Sequence, residues 1–377
     1  MLPNYKDGSI VNVVSSIMKS FGVKTPYSEC KLLKNKDIKK YKHVVLMCFD
    51  GFGYDLIKMH CKSVIKENSL GKITTVFPST TTAALTSFAT GLAPKQHALV
   101  AWNLYIKEFG TIFKPLHFVP RMEGILNIDR IKWFDFKSTT SKIKNSFSVI
   151  PADLINSPYT YKSIKGTKCA PYETLVEGFN KLLAIVSKNK RSFTYFYWPG
   201  VDSLSHTCGK ENGKVKKHIG EIEHLLSLLQ QNMKDTCVIV TSDHGQITSS
   251  PSELINLNKI PGFMDCLTMP ISGEPRAAFC YVRPSKVKQF KEIYSKYLKN
   301  FCSLVSYETL IKKNYFGIGK EHKELFSRVG DYVLIAKKNY ILKDYLFDEK
   351  AKFKLKGNHG GTSKEEMEVP LIFITNK

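Results

Sequence analysis

Six side chains between Asp50 and His359 carry the oxygen and nitrogen donors that divalent cations prefer. Asp50 ends the apolar run VVLMCF and enters a glycine turn, Asp202 and His206 follow FTYFYWPG, Asp243 and His244 follow CVIVTS, and His359 stands in GNHGG near the C-terminus. Carboxylate oxygen mixed with imidazole nitrogen, without cysteine, suits zinc or manganese better than magnesium or an iron–sulfur centre. A catalytic zinc commonly takes three protein ligands and keeps one position open, so six donors imply two cations, zinc first and manganese as the alternative. Two cations about 4 Å apart can hold the attacking and the departing oxygen of an in-line displacement at phosphorus. Each fragment alone is weak, since a single histidine is more often a satisfied core residue than a ligand. Their joint occurrence after three strand-like runs carries the inference.

A nucleophile must stand beside such a pair. In VFPSTTTAALTSFATG, Phe77-Pro78 ends a strand, Ser79, Thr80, Thr81 and Thr82 turn the chain, and Ala83 to Thr90 read as a helix stopped by Gly91. Free N–H groups and the helix dipole at such a start favour a phosphate and a developing alkoxide. By itself the hydroxyl run would be an ordinary N-cap. Threonine is unreactive at its own pKa and needs a neighbouring cation to attack, which gives a phosphoryl-threonine that water then releases.

The donors require elements that aim them at one place. Three strands ending at Asp50, at Asp202 and His206, and at Asp243 and His244 would present their ligands at the C-terminal edge of an open α/β sheet, where such folds bind ligands. Helical spacing covers residues 8–21, with Asp7 or Ser9 as cap and Gly22 as stop, making an outer helix on the core. The stretch 53–68 reads as a crossover helix, and 171–189 and 213–233 as amphipathic helices. Residues 98–160 are aromatic-rich and irregular, and place Trp102, Tyr105, Phe113 or Trp133 at the wall of a pocket. Between 247 and 325 the pattern changes to a small inserted α+β cap. GDYVLIAKKNYIL then returns to a strand and EVPLIFI closes the sheet, so 1–246 with 326–377 form the catalytic domain and 247–325 the cap.

A chain of 377 residues with 43% hydrophobic and 24% charged residues has the material for a large buried core, which excludes disorder and a small stapled scaffold. Nine cysteines, none in a CxxC pair, offer neither a disulfide framework nor a zinc finger and fit a reducing compartment. The N-terminus lacks the form of a signal peptide and no run of about 18 apolar residues occurs, so a soluble cytoplasmic protein is expected. The net charge of +23 favours anionic partners such as phosphate esters or nucleotides. Its lysines are dispersed, which fits a solvated surface better than a nucleic-acid stripe. A fold kept for nucleic-acid binding without catalysis stands as the remote alternative, and oligomeric state is not readable.

In combination and order, VVLMCFDGFG, VFPSTTT, ATGLAPKQH, GVDSLSH, TSDHG, GNHGG and EMEVPLI resemble the alkaline phosphatase superfamily, in particular its nucleotide pyrophosphatase/phosphodiesterase branch. The resemblance implies a three-layer α/β/α sandwich with a mostly parallel central sheet and an inserted cap. It implies a phosphodiesterase or nucleotide pyrophosphatase, with a phosphomonoesterase, phosphonate hydrolase or phosphomutase of the same superfamily as the alternative. It assigns Asp202, His206 and His359 to one zinc, and Asp50, Asp243 and His244 to the other. The family's spacing to the histidine of the TGL segment, here His97, selects Thr81 as nucleophile, with Thr80 as second choice. Two departures stand out: Thr82-Ala83-Ala84-Leu85 replaces the FPNH that usually follows the nucleophile, and the family's phosphate-binding asparagine aligns with Trp102, one residue before Asn103. Asn103, Trp102 and Tyr105 are the expected substrate contacts.

Overall fold

The structure is a computed structural model and describes residues 1–122, 131–188, 190–346, 349 and 353–376. Its centre is a seven-stranded sheet in the order Ser69–Thr74, Glu368–Thr375, Thr236–Thr241, His43–Phe49, Ser192–Trp198, Ser146–Pro151 and Lys168–Tyr172. Six strands run the same way and Glu368–Thr375 runs against them. The strand His43–Phe49 is buried along its whole length, as a β-branched and apolar run covered on both faces must be. Val44, Leu46 and Cys48 join one core with the helices Ile10–Ser20 and Thr81–Thr90, while Val45, Met47 and Phe49 join the other with Leu175–Val186 and Gly213–Asn232. The three-layer α/β/α expectation therefore holds.

Strand register decides where the site falls. Cys48 lies opposite Thr241 and Phe49 opposite Trp198, so Asp50, Asp243 and the turn after Trp198 leave the sheet at one level. The backbone N–H of Gly51 reaches Asp243 Oδ1 at 3.1 Å across this edge. Gly51 has φ of +70°, and a Cβ there would sit 2.9 Å from Asp202 Cα. Only glycine lets the turn after Asp50 approach Asp202 so closely.

Several elements depart from the sequence reading. The N-terminal helix is buried except at Lys19, because residues 23–34 wrap over it; Asn12 Nδ2 donates to Ser28 O at 3.1 Å and Ser16 Oγ accepts from Cys30 N at 2.9 Å. The crossover at 53–68 is two short helices, Tyr54–His60 and Val64–Glu67. The break is held by Glu223, whose carboxylate accepts from Lys62 N and Ser63 N at 3.0 Å and so satisfies N–H groups that a continuous helix would have used itself.

The cap is also composed differently. A four-stranded antiparallel sheet runs Ser272–Glu274, Ala277–Cys280, Tyr332–Ala336 and Cys302–Ser306. Tyr332–Ala336, expected to rejoin the main domain after residue 326, belongs to this small sheet, with Leu334 opposite Ala278. Phe279 and Val333 pack into an aromatic cluster with Phe113, Phe118 and Phe134, so part of the 98–160 stretch completes the same layer. Within that stretch Leu104–Ile106, Thr111–Lys114 and Val119–Pro120 form a second small sheet where irregular chain was expected. The stretch 98–160 includes residues 123–130, which lie outside the described residues. All nine cysteines are free, and no described helix is long and apolar enough to cross a membrane.

Candidate metal centre

Asp50 and Asp243 come directly from strand ends, as expected. Asp202 and His206 do not: their strand stops at Trp198, and both sit on the helix Gly200–Cys208 at a spacing of four residues, which puts them on one face. His206 Nε2 lies 3.3 Å from Asp202 Oδ2. His359 follows the short strand Gly357–Asn358, which pairs with Ile247–Thr248 just beyond His244. The histidine rings of 244 and 359 stack at 3.7 Å.

The six donors converge. Ligating atoms of Asp202, His206 and His359 lie within 4.8 Å of one another, and so do those of Asp50, Asp202 and His244. Asp243 Oδ2 is 3.3 Å and Asp50 Oδ1 is 3.4 Å from His244 Nε2. Asp202 thus stands between two subsets, its Oδ1 also 3.9 Å from His359 Nε2.

Each histidine is held in the same manner. Nδ1–H donates to a backbone carbonyl: His206 to Gly357 at 2.7 Å, His244 to Gly245 at 3.1 Å and His359 to Ser79 at 3.1 Å. That tautomer leaves the Nε2 lone pair of all three pointing into the cluster, the arrangement metal-bound histidines adopt. The carboxylates are supported in turn. Tyr197 donates its hydroxyl to Asp50 Oδ2, Gln246 Nε2 donates to Asp202 Oδ1, and the backbone N–H groups of Gly51 and His244 donate to Asp243 Oδ1. Asp50 Oδ1 and Asp243 Oδ2 remain buried without a partner. Buried carboxylate oxygens are rarely left so, and a cation is the partner that this donor set fits.

The electrostatics agree. Burial, then the charges of Asp243 and Asp202, push Asp50 well above the usual carboxylate range, and burial with the Asp202 charge pushes Asp243 up to about 6. Burial lowers His244 to about 4, and burial together with His244 lowers His359 to about 3, so both are neutral at pH 7. Burial would raise Asp202, but His206 and its neighbours hold it below the usual range, and Asp202 in turn raises His206 against its own burial. Without positive charge at its centre the cluster strains against its own carboxylates.

Thr81 is the first residue of its helix, and its Oγ1 lies 3.1 Å from His244 Nε2. Thr80, the N-cap, is fully buried and lines neither of the cavities that meet here, whereas Thr81 lines both. One cavity, of about 320 Å³, is mainly apolar; the other, of about 500 Å³, opens between the cluster and the cap. Thr81, Trp102 and Asp202 stand in both walls. Asn103 lines the larger, with its Oδ1 buried and unpartnered while its backbone pairs with Gly273. Tyr105 is not in either wall: the strand Leu104–Ile106 carries it into the cap, edge-on to Tyr281 at 5.3 Å. Lys114, Lys343 and Lys354 give the larger cavity a basic side.

Sequence reasoning missed Tyr197, Gln246 and Glu274. Tyr197 and Gln246 stand close to ligands in the chain, which was the available signal. Glu274 had none: it reaches the larger cavity from the cap, accepts from Trp102 N at 2.6 Å, and is raised to about 7 by burial.

The sequence profile of the type I phosphodiesterase / nucleotide pyrophosphatase family matches residues 44–362. Human ectonucleotide pyrophosphatase/phosphodiesterase family member 5 is 25% identical over 339 residues, 84% of this chain and 65% of its own. A bis(5'-adenosyl)-triphosphatase of Xenopus laevis is 24% identical over 239 residues, 58% of this chain and 50% of its own. The chain thus spans from half to just under two thirds of these relatives. Among solved structures, the murine member 5 superposes with a TM-score of 0.66 at 18% identity over 87% of each chain. Phosphonoacetate hydrolase from Sinorhizobium meliloti 1021 superposes at 0.65 and 16% identity, covering 89% of this chain and 91% of its own.

Proposed function

Because the chain belongs to the type I phosphodiesterase / nucleotide pyrophosphatase family, we propose that it hydrolyses phosphate diester or pyrophosphate bonds with Thr81 as nucleophile. The observation that carries this reading is the placement of Thr81 Oγ1 at a helix start, 3.1 Å from His244 Nε2 and in the wall common to both cavities. Asp202, His206 and His359 would hold one zinc ion and Asp50, Asp243 and His244 a second, with manganese as the alternative metal. Bound there, such cations supply Lewis acidity that activates a hydroxyl and neutralises charge on a displaced oxygen.

The chain's own residues do the rest. The N–H groups that open the helix Thr81–Thr90 have no partner inside it and face a bound phosphoryl group. Thr81 Oγ forms a bond to phosphorus as the bond to the leaving oxygen breaks, and water then cleaves the phosphoryl-threonine. Asn103 stands in the wall of the larger cavity, where its amide Nδ2 can donate to a phosphoryl oxygen, and Lys114, Lys343 and Lys354 favour an anionic departing group. A nucleotide substrate is supported by the murine relative solved as an inactive variant with AMP. The free thiols support work in a reducing compartment, the cytoplasm.

The test pairs metal analysis with turnover of bis(p-nitrophenyl) phosphate and p-nitrophenyl phosphate. The expected result is chelator-sensitive diester cleavage, lost in Thr81→Ala with metal content unchanged, and lost in Asp243→Asn together with metal. Wild-type turnover by Thr81→Ala removes the assigned nucleophile, and a strong preference for the monoester moves the reading to a phosphomonoesterase.

A further inference from the structure

Lys210 is 6% exposed, and a lysine is almost never so buried unless its charge is paired. It stands just beyond the helix Gly200–Cys208, and its ammonium has two acceptors, Asp55 Oδ2 at 2.6 Å and the carbonyl of Gln246 at 2.8 Å. Its backbone is held on both sides as well. Lys210 N donates to Thr248 Oγ1 at 3.2 Å, and Lys210 O accepts from His60 Nε2 at 2.9 Å. Each partner belongs to a segment that carries donors of the cluster. Asp55 and His60 lie on the helix Tyr54–His60 that follows the Asp50 turn, Gln246 and Thr248 follow Asp243 and His244, and Lys210 itself follows Asp202 and His206. Thr248 lies opposite Gly357, two residues before His359. Directly or through Thr248, one residue is tied to every segment that contributes a donor.

Gln246 passes this connection to a ligating atom. It is buried, its carbonyl accepts from the ammonium, and its side-chain Nε2 donates to Asp202 Oδ1. The amide is wedged between Gly51 and Gly357, where a Cβ on either would strike it. Asp202 belongs to both donor subsets, so the aim of its carboxylate bears on both cations. A hydrogen bond from an ammonium is roughly twice as strong as one between neutral groups. A neutral apolar side chain at 210 would leave the Gln246 peptide free to turn, and the amide would turn with it.

We infer that Lys210 is a positioning residue of the metal centre, acting through Gln246 to aim Asp202 Oδ1 at the cations. The inference rests on the two-cation reading of the cluster and does not depend on which ester is cleaved.

The test measures zinc binding to the whole chain by calorimetry against a competing chelator, together with the visible absorption of the cobalt(II) form, which reports coordination geometry. Lys210→Met removes the ammonium and keeps both backbone bonds. Its zinc affinity should fall about 10–100-fold, as loss of such supporting contacts commonly does, and its cobalt spectrum should change. Gln246→Leu should do the same. Because the ammonium acts through the amide, adding Lys210→Met to Gln246→Leu should weaken binding by no more than about 2-fold, the tolerance of such cycles. Separate roles would multiply the two losses. Should Lys210→Met not fold, Lys210→Gln takes its place with the same expectation. Wild-type zinc affinity in the Lys210 variant, even with a lowered Tm, makes the residue a structural tie and overturns the inference, as do losses that multiply in the double variant. A wild-type protein that binds neither zinc nor cobalt overturns the two-cation reading itself, and the role of Lys210 with it.

Discussion

Arg276 and Glu366 form a buried pair that ties the cap to the loop carrying His359, and the replacement Arg276→Met tests how far that loop depends on it. Arg276 Nε lies 3.1 Å from Glu366 Oε1 and Nη2 lies 2.8 Å from Oε2, with the two residues 1% and 0% exposed. Removing one partner of a buried ion pair costs about 3–5 kcal/mol, because the survivor keeps its charge without its counter-ion. Here Glu366 still accepts from Gly361 N at 2.8 Å and Ser363 N at 3.2 Å. The loss therefore falls at the lower end, about 3 kcal/mol. For 377 residues the unfolding entropy is roughly 0.8 kcal/mol per kelvin, so Tm should drop by about 4 °C.

The pH dependence has a definite sign. Burial opposes ionisation of Glu366, but Arg276 wins and holds the carboxyl below its usual range. In the wild type its contribution is thus present above the unfolded pKa and lost as pH falls through the lower folded value. Without Arg276, burial dominates and the folded pKa moves up. The variant then carries a penalty at neutral pH that shrinks as the carboxyl takes its proton. Calorimetry in excess chelator, which removes metal loss as a competing cause, should show the Tm deficit at pH 7.5 narrowing towards pH 4.5. The double variant Arg276→Met/Glu366→Met should be more stable than the sum of the singles by over about 1 kcal/mol. A deficit under 1 °C, an equal deficit at both pH values, or additivity would refute the reasoning.

Tyr197→Phe removes the hydroxyl that Asp50 Oδ2 accepts from; metal affinity measured by titration calorimetry should fall about 10–100-fold, as loss of such supports commonly does. Metal affinity itself should rise from pH 5 to pH 7, because Asp50 and Asp243, the latter pushed up to about 6, must release protons while His244 and His359 are already neutral. Calorimetry in buffers of different ionisation heat reads those protons, and pH-independent binding would count against the assignment. Gly51→Ala should lower metal content at equal protein, since its Cβ would stand 2.9 Å from Asp202 Cα in a left-handed turn; full occupancy would show that the two turns can separate freely.

What the sequence disclosed and what it withheld follow from how each feature is encoded. Asp50 and Asp243 were legible because a strand buried on both faces is an unbroken apolar run, and a carboxylate ending such a run has an obvious place. Asp202 and His206 were legible as candidate donors but not as helical residues: Pro199-Gly200 looked like a turn, and only the structure shows it opening the helix that puts both side chains on one face. Tyr332–Ala336 was assigned to the wrong sheet since apolar strands of two sheets read alike, and its partners Ala277–Cys280 and Cys302–Ser306 are set by distant pairing. Trp102 lines the cavity and Tyr105 does not, because the segment's pairing, which local composition does not state, sends one to the cap and leaves the other at the cavity. The supports Tyr197, Gln246 and Glu274 likewise act across the sheet edge or from the cap. With Cys48 level with Thr241 and Phe49 level with Trp198, Asp50 can meet only those groups that leave the neighbouring strands at its own height. The centre is therefore specified by strand order and register, and any chain keeping these pairings must bring the two aspartates together whatever its loops contain.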